Sequence, residues 1–429
     1  MKSAYTFQGL KAVSPIGVFM ILYLVVSLIL GDFYKMPVSV AMAAASIWAV
    51  ACYSGNGLKK RIEVFSRAAG HTDILYMVWI FILAGAFAAL AKGIGCIDAT
   101  VNLTLAAFPA DFLLPGIFIA ACFISLSIGT SVGTVVALTP LVVELAQSGG
   151  GNVALYTATV LGGAFFGDNL SFISDTTIAA TRTQGCDMAD KFKTNVWIAV
   201  PAAAATLLLY ILLGHSAAPV MPADGADPQW WLVLPYLIII ILAVSGINVT
   251  IVLTCGIISA LILGCFNGVT PLDACAMMGE GIDSMGSLII ITLLAAGMLG
   301  IVKAAGGIDF LLHSLTGRIR GPRSAQGCIA VLVSVVNLCT ANNTVAIITV
   351  GSMTREIASR FGIDPRKAAS LLDSCSCIVQ SLIPYGAQTL LATGLAGISP
   401  AAPWQYLYYP WMLAIFVTLS VIFRFPRKI

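Results

Sequence analysis

Two aspartates interrupt an apolar run in the stretch GDNLSFISDTT, Gly167 to Thr177. An ionised carboxylate inside a membrane segment costs about 2.5–3.5 kcal/mol or more, so Asp168 and Asp175 call for a partner, a cation or a proton. Asn169, Ser171, Ser174, Thr176 and Thr177 surround them, each with a side-chain oxygen, and no soft ligand lies nearby. Oxygen ligands of this kind suit hard cations. The upstream GTSVGT adds Thr130, Ser131 and Thr134, with the carbonyls freed by a break in the helix. Half-helix C-termini attract cations and half-helix N-termini attract anions.

The chain repeats this pattern about 210 residues later. CTANNT (Cys339 to Thr344) follows GTSVGT, and DSCSCIVQSLIPYGAQT (Asp373 to Thr389) follows the acidic stretch. At an offset of 210, Thr130 falls on Thr340, Thr134 on Thr344 and Ser171 on Ser381. The second copy contributes Asn337, Thr340, Asn342, Asn343, Thr344, Asp373, Gln380, Ser381 and Gln388, and places Tyr385 where the first has Asp175. Lys92-Gly-Ile-Gly95-Cys-Ile97-Asp98 likewise matches Lys303-Ala-Ala-Gly306-Gly-Ile308-Asp309. Polar, Gly-rich backbone at membrane depth is tolerated only where it is buried in protein or lines a cavity. Paired interruptions in two halves point to the binding site of a secondary transporter.

Hydrophobic residues make up 59% of the chain and charged residues 10%, far below the charge of a soluble domain. The expected fold class is an all-α polytopic membrane protein of inverted five-span repeats, each with a broken helix and a re-entrant hairpin. Spans are expected at 13–31, 36–54, 73–93, 112–147 and 194–213, then at 231–246, 249–267, 286–304, 324–355 and 404–423. The fourth of each set is too long for a simple span and is read as broken. The segments 153–181 and 368–396 are read as the re-entrant hairpins. Residues 55–70 and 268–283 are too polar to span and read as interfacial helices. The first repeat is then 1–215, with scaffold spans in 13–54 and a transport part at 73–213. The second is 223–429, with scaffold spans in 231–267 and a transport part at 286–423.

Lys59, Lys60, Arg61 and Arg67 place the segment after the second span in the cytoplasm, and Arg182, Lys191, Lys193, Arg318, Arg320, Arg323, Arg427 and Lys428 follow them there. Both termini are then cytoplasmic. The cluster Arg355, Arg360, Arg366 and Lys367 disagrees, falling outside.

Several classes are disfavoured. No H-E-x-x-H occurs, Phe165-Phe166 precedes Gly167-Asp168 where an aspartyl protease needs G-x-G-D, and no P-loop is present, so neither an enzyme nor a primary pump is expected. No basic tract with interleaved aromatics suggests nucleic acid. The eleven cysteines lie mostly in apolar segments and no Cys/His cluster has zinc spacing, so no metal cofactor and no disulfide framework are expected. A symmetric channel fits poorly with inverted repeats.

With GTSVGT, GDNLSFISDTT and AKGIGCIDATVNL (Ala91 to Leu103), the chain resembles the NhaC-type sodium/proton antiporter family of the ion-transporter superfamily over nearly its whole length. The family pattern at the acidic stretch is roughly G-D-x-x-S-P-x-S-D-T-T; Gly167, Asp168, Ser171, Ser174, Asp175, Thr176 and Thr177 match, and Phe172 replaces the proline. The resemblance implies a secondary transporter with elevator-like motion, multi-pass in a bacterial-type plasma membrane, with Na+ and H+ as exchanged or coupling ions, no other cofactor and lipid as its surroundings. Asp168 and Asp175 would then be a shared Na+ and H+ site. Relatives that exchange malate for lactate keep a second possibility open, ion-coupled transport of a small organic or amino acid. A homodimer through spans such as 13–31 and 231–246 is expected on the resemblance as much as on the sequence.

Overall fold

Apolar runs with polar centres fold into helices that stop and restart in mid-course. The structure, a computed structural model, describes residues 2–30, 37–53, 57–96, 99–100, 112–171, 174–214, 230–245, 247–316, 319–423 and 425. The described residues form helices and no strand. Phe172 of the acidic stretch lies outside them, as do Ile97 and Asp98 of the repeated Lys92–Asp98 segment and residues 101–111 and 215–229.

The first half runs α1 Lys2–Leu30, α2 Val38–Cys52, α3 Gly57–Ala69, α4 Thr72–Gly93, α5 Leu113–Ile128, α6 Ser131–Ser148, α7 Val153–Leu170, α8 Asp175–Gln184 and α9 Met188–Gly214. The second runs α10 Leu234–Val244, α11 Val249–Phe266, α12 Pro271–Ser284, α13 Gly286–Ala304, α14 Gly307–Thr316, α15 Pro322–Thr340, α16 Asn343–Arg360, α17 Pro365–Leu382, α18 Ala387–Ala396 and α19 Tyr408–Phe423. Six helices among the described residues are long and apolar enough to cross a membrane.

The end of α5 and the helices α6, α7 and α8 match the end of α15 and the helices α16, α17 and α18 at an offset of 212 rather than 210. α6 and α16 have 18 residues each, α7 and α17 have 18, and α8 and α18 have 10. Gly129 (φ 72) closes α5 as Ala341 (φ 50) closes α15, both left-handed, and extended Thr130 and Asn342 follow them. Backbone geometry sets this register, whereas the offset of 210 aligned threonines by type alone. The counterpart of Asp175 is therefore Ala387, not Tyr385. Ala341 is the one non-glycine with positive φ among the described residues. An L-residue there carries roughly 1–2 kcal/mol of strain.

The hairpins and the broken spans exchange places relative to expectation. Leu113 and Leu145 line one groove between α5 and α6; in a continuous helix they would stand about 48 Å apart. The segment 112–147 therefore folds back on itself as the hairpin. α7 runs beside α5, so tightly that a Cβ on Gly167 would come within 2.1 Å of Ser125 Oγ. α8 then continues onward beside α16: Gln184 Nε2 donates to the Gly351 carbonyl at 3.0 Å, and Gly185 lies against Arg355. From there α9, 27 residues or about 40 Å long, leads back to where Tyr210 packs on Tyr408, near the start of α7, whose Asn152 bonds to Tyr406. The start of α7 and the end of α8 thus lie at opposite ends of α9, and 153–181 is a broken span rather than a re-entrant hairpin. By matching elements, α15–α16 is the second hairpin and α17–α18, covering 368–396, the second broken span. Both arrangements give two apolar arms around a polar middle, so hydropathy could not separate them.

The exchange removes the disagreement over charge. The second hairpin opens at the end where α8 stops, so Arg355 and Arg360 join Arg182 and Lys193 there. Arg366 pairs with Asp364 at 2.8 Å. Lys367 is buried and donates to Ser420 and to the Phe425 carbonyl, closing the C-terminus of α19.

The two polar segments form helices, as expected. α3 buries no residue and rests on α13, with Phe65 over Gly297 and Ala68 over Gly300. α12 rests on α4, where Gly281 and Gly85 bring the two backbones together; a Cβ on Gly281 would stand 2.2 Å from the Gly85 carbonyl. Each therefore packs on the third span of the other half.

Exposed Ser148, at the mouth of the first hairpin, and exposed Asp187, just past the end of α8, test this arrangement. On a cysteine-free background, Ser148→Cys and Asp187→Cys should react with an impermeant thiol reagent from opposite faces of the membrane, because the broken span lies between them. Reaction of both from one face, as a re-entrant 153–181 requires, would overturn the fold-back assignment.

Candidate functional site

The tips of both hairpins meet the interruptions of both broken spans at one cavity of about 640 Å³. Gly129, Thr130, Thr340, Asn342 and Thr344 come from the tips, and Asp175, Tyr385 and Ala387 from the interruptions. α4 and α13 supply apolar walls, including Ile80 and Leu299. Asp175 is exposed and is the one charged residue among the described lining.

Asp168 sits just behind the tip, buried, in the last turn of α7. Its carboxylate accepts from Ser131 N–H at 3.1 Å and from Ser131 Oγ at 2.5 Å. Ser131 opens α6, so the acid caps the positive end of a half-helix that belongs to a different segment. Gln388 Nε2 donates to Ser131 Oγ at 3.0 Å, which obliges the Ser131 proton to point at Asp168. Gln388 in turn accepts from Gln380 Nε2 at 3.0 Å, which also donates to the Ala341 carbonyl at 3.1 Å. A polar chain thus runs from one hairpin tip to the acid beside the other.

A second buried network lies next to it. Lys191, in the first turns of α9, donates to the Asp373 carboxylate, to the Asn169 carbonyl at 2.6 Å and to Thr177 Oγ1 at 2.9 Å. The three partners match the three N–H groups of a charged ammonium. Lys191 is 1% exposed and Asp373 0%. Asn195 donates to the Asn169 side chain and, at 2.8 Å, to its carbonyl, and accepts from Ser370 (2.8 Å) and Ser374 (3.0 Å). Both arms of the first broken span are thereby tied to α9 and to the second broken span.

The sequence candidates divide accordingly. Thr130, Ser131, Asp168, Asp175, Thr340, Asn342, Thr344, Gln380 and Gln388 lie at the cavity or in the chain behind it. Asn169, Thr177 and Asp373 belong to the lysine network. Thr176 bridges Ser174 Oγ and the Asp168 carbonyl. Others serve the backbone: Thr134 bonds back to Thr130 O, Ser381 to Ile378 O, Ser171 to Leu126 O and Asn337 to Ser376 O, while Asn343 accepts from Thr344 N. Lys191, Asn195, Ser370 and Ser374 were not among the candidates. Lys191 counts in the sequence as one more basic residue at a span end. The available signal was Asp373, an acid in an apolar segment with no basic residue within four positions of it.

Removing one member of a buried ion pair typically costs about 3–5 kcal/mol, because it leaves the other charge uncompensated. Asp373→Asn should destabilise the protein on that scale. Adding Lys191→Met should recover part of the loss, as read by thermal denaturation in detergent. Additive losses would show that the pair does not interact.

The model of the Na+/H+ antiporter family matches residues 5–215 and 228–426. The Na+/H+ antiporter NhaC of Alkalihalophilus pseudofirmus is 22% identical over 379 residues, 81% of each chain. The malate-2H+/Na+-lactate antiporter of Bacillus subtilis is 21% identical over 96% of this chain and 93% of its own. Among solved structures, the Alcanivorax borkumensis YdaH transporter aligns with a TM-score of 0.43 at 15% identity, over 86% of this chain and 89% of that one.

Proposed function

The chain belongs to the Na+/H+ antiporter family, a family of membrane transporters and not of enzymes, and we propose that it exchanges sodium for protons at Asp168. The observation that carries this reading is a count of buried charge. Asp168 and Asp373 contribute two negative charges and Lys191 one positive, and the Lys191 ammonium is committed to Asp373. The ion pairs among the described residues leave Asp168 without a basic partner. One negative charge therefore remains, and either one sodium ion or one proton neutralises it. A buried site in low dielectric strongly favours being neutral. Competition of the two ions for one carboxylate is the coupling that antiport requires.

Asp175, in the open cavity, serves as the entrance charge that draws a cation toward the tips. Gly129 and Thr130 line the same cavity as Asp175 and directly precede Ser131, which holds Asp168, so a cation moving between the two acids would pass them. A cavity of about 640 Å³ is large enough for a small organic molecule, as the name of the Bacillus relative invites. Its only charge among the described lining residues is negative, however, which disfavours a carboxylate and favours a cation.

The opposed ends of the matched elements support an inverted repeat, with the basic loops and both termini in the cytoplasm. Movement of hairpins and broken spans together, as an elevator, fits the buried ties that fuse them. The frame would be the first two spans of each half, which would also carry a homodimer contact.

In proteoliposomes with an imposed sodium gradient, Asp168→Asn should abolish proton counterflow. Asp175→Asn should keep the maximal rate. Loss of about 1 kcal/mol of attraction would raise the sodium concentration for half-rate roughly five-fold. Full exchange in Asp168→Asn, or flux only when an organic acid is supplied, would sink this reading. The sliding motion has its own test. Val136 of α6 and Val252 of α11 face one small cleft between moving part and frame. A disulfide between cysteines at these positions should stop transport, and reduction should restore it. Normal turnover in the crosslinked protein would require local gating instead.

A further inference from the structure

We propose that Lys191 is a built-in cation, filling an oxygen cage that would otherwise hold an alkali ion, and that its removal creates a second sodium site. The ammonium is surrounded by a carboxylate oxygen of Asp373, the carbonyl of Asn169 and the hydroxyl of Thr177. These are the ligand types that a hard cation takes. They come from three helices, α17, α7 and α8, and converge on the ammonium that α9 supplies. The remaining acceptors nearby are already spent: Asn195 Oδ1 receives Ser370 and Ser374. The cage is thus complete around one positive charge, and that charge is covalently part of the protein.

This arrangement has a consequence for coupling. A resident ammonium neutralises Asp373 in every state of the cycle, so only Asp168 remains for mobile ions. The carrier then takes one sodium ion per passage. Replacing Lys191 by methionine keeps most of the stem volume but empties the head of the cage and leaves two uncompensated carboxylates. Each of them then calls for a mobile cation.

The part of this proposal that concerns transport rests on exchange at Asp168, and the binding test does not. Thermal stability of the purified full-length protein is measured against rising NaCl, with choline chloride holding ionic strength constant. Asp168→Asn alone should show no sodium response. Asp168→Asn with Lys191→Met should be less stable in choline and regain stability in a saturable way as sodium replaces it. Adding Asp373→Asn should remove that response. Sodium stabilisation that persists in Asp168→Asn alone counts against the exchange site and leaves the cage to be judged by the difference between the two backgrounds. Lys191→Gln serves as a second probe, because it fills the same path with a neutral amide. If Lys191→Met and Lys191→Gln both show no sodium response beyond the Asp168→Asn background, or are aggregated in sodium and choline alike, the cage does not accept a cation and the proposal falls. In transport, Lys191→Met on the otherwise native protein should show a steeper sodium dependence than the native protein. An unchanged curve with a lower maximal rate would mark Lys191 as a packing residue only.

Discussion

Buried charge must be answered locally, and the core of this molecule is arranged around how that is done. Lys191 and Asp373 are both withdrawn from solvent, where an unmatched ion would cost several kcal/mol. Their attraction alone does not offset the desolvation. The ammonium is stabilised because its other two protons find the Asn169 carbonyl and the Thr177 hydroxyl, on the two sides of the break in the first broken span. The interruption of α7 and α8 is thus what frees a carbonyl to face the lysine. In return, the lysine holds the two arms in register against α17. Backbone irregularity and buried charge, each unfavourable by itself, satisfy one another.

The legible part of this fold was the part written in hydropathy and in oxygen-bearing residues. The spans near α4, α9, α11 and α13, the polar helices α3 and α12, and the two interruptions stand close to where apolar length and polar breaks put them. Connectivity in space was not legible. A hairpin and a broken span present the same pattern, two apolar arms around a polar middle, and differ only in whether the second arm turns back. The clue was electrostatic: Arg355, Arg360, Arg366 and Lys367 run against the basic bias of the other loops when 324–355 crosses the membrane. The repeat offset failed for a related reason. Threonines align Thr130 with Thr340, whereas the chain reverses hand at Gly129 and Ala341, two residues further along in the second copy. Lys191 was hidden because burial of a lysine at the end of a span depends on what packs over it.

The halves share geometry but not chemistry, and the difference lies at the start of the second hairpin arm. In the second copy Asn342 caps its own helix by accepting from Val345 N–H at 3.0 Å. In the first, Thr130 provides no such cap, and the open N–H of Ser131 is answered by Asp168 from another segment. A neutral self-cap needs nothing further. A carboxylate brought from outside carries a full charge into the same position, where a helix N-terminus stabilises it only in part. On the exchange proposed above, this asymmetry would put the ion-binding carboxylate at the first tip only, while the second tip lines the cavity with neutral groups.

The two tips are nonetheless joined. Ala341 holds its left-handed conformation at some cost, and its carbonyl is fixed by Gln380, which hands on through Gln388 and Ser131 to Asp168. Because Ser131 receives the Gln388 proton, its own proton is committed to the carboxylate. In the proposed exchange, a cation or a proton arriving at Asp168 would compete with that commitment. When Asp168 is protonated it can itself donate, and Ser131 no longer has to serve it. If the Ser131 proton then turned to Gln388, both amides would have to flip, and Gln380 would lose its donation to the Ala341 carbonyl, a group that can only accept. On the exchange proposed above, neutralisation of Asp168 would in this way reach the left-handed residue of the opposite tip by withdrawing the donor that holds its carbonyl.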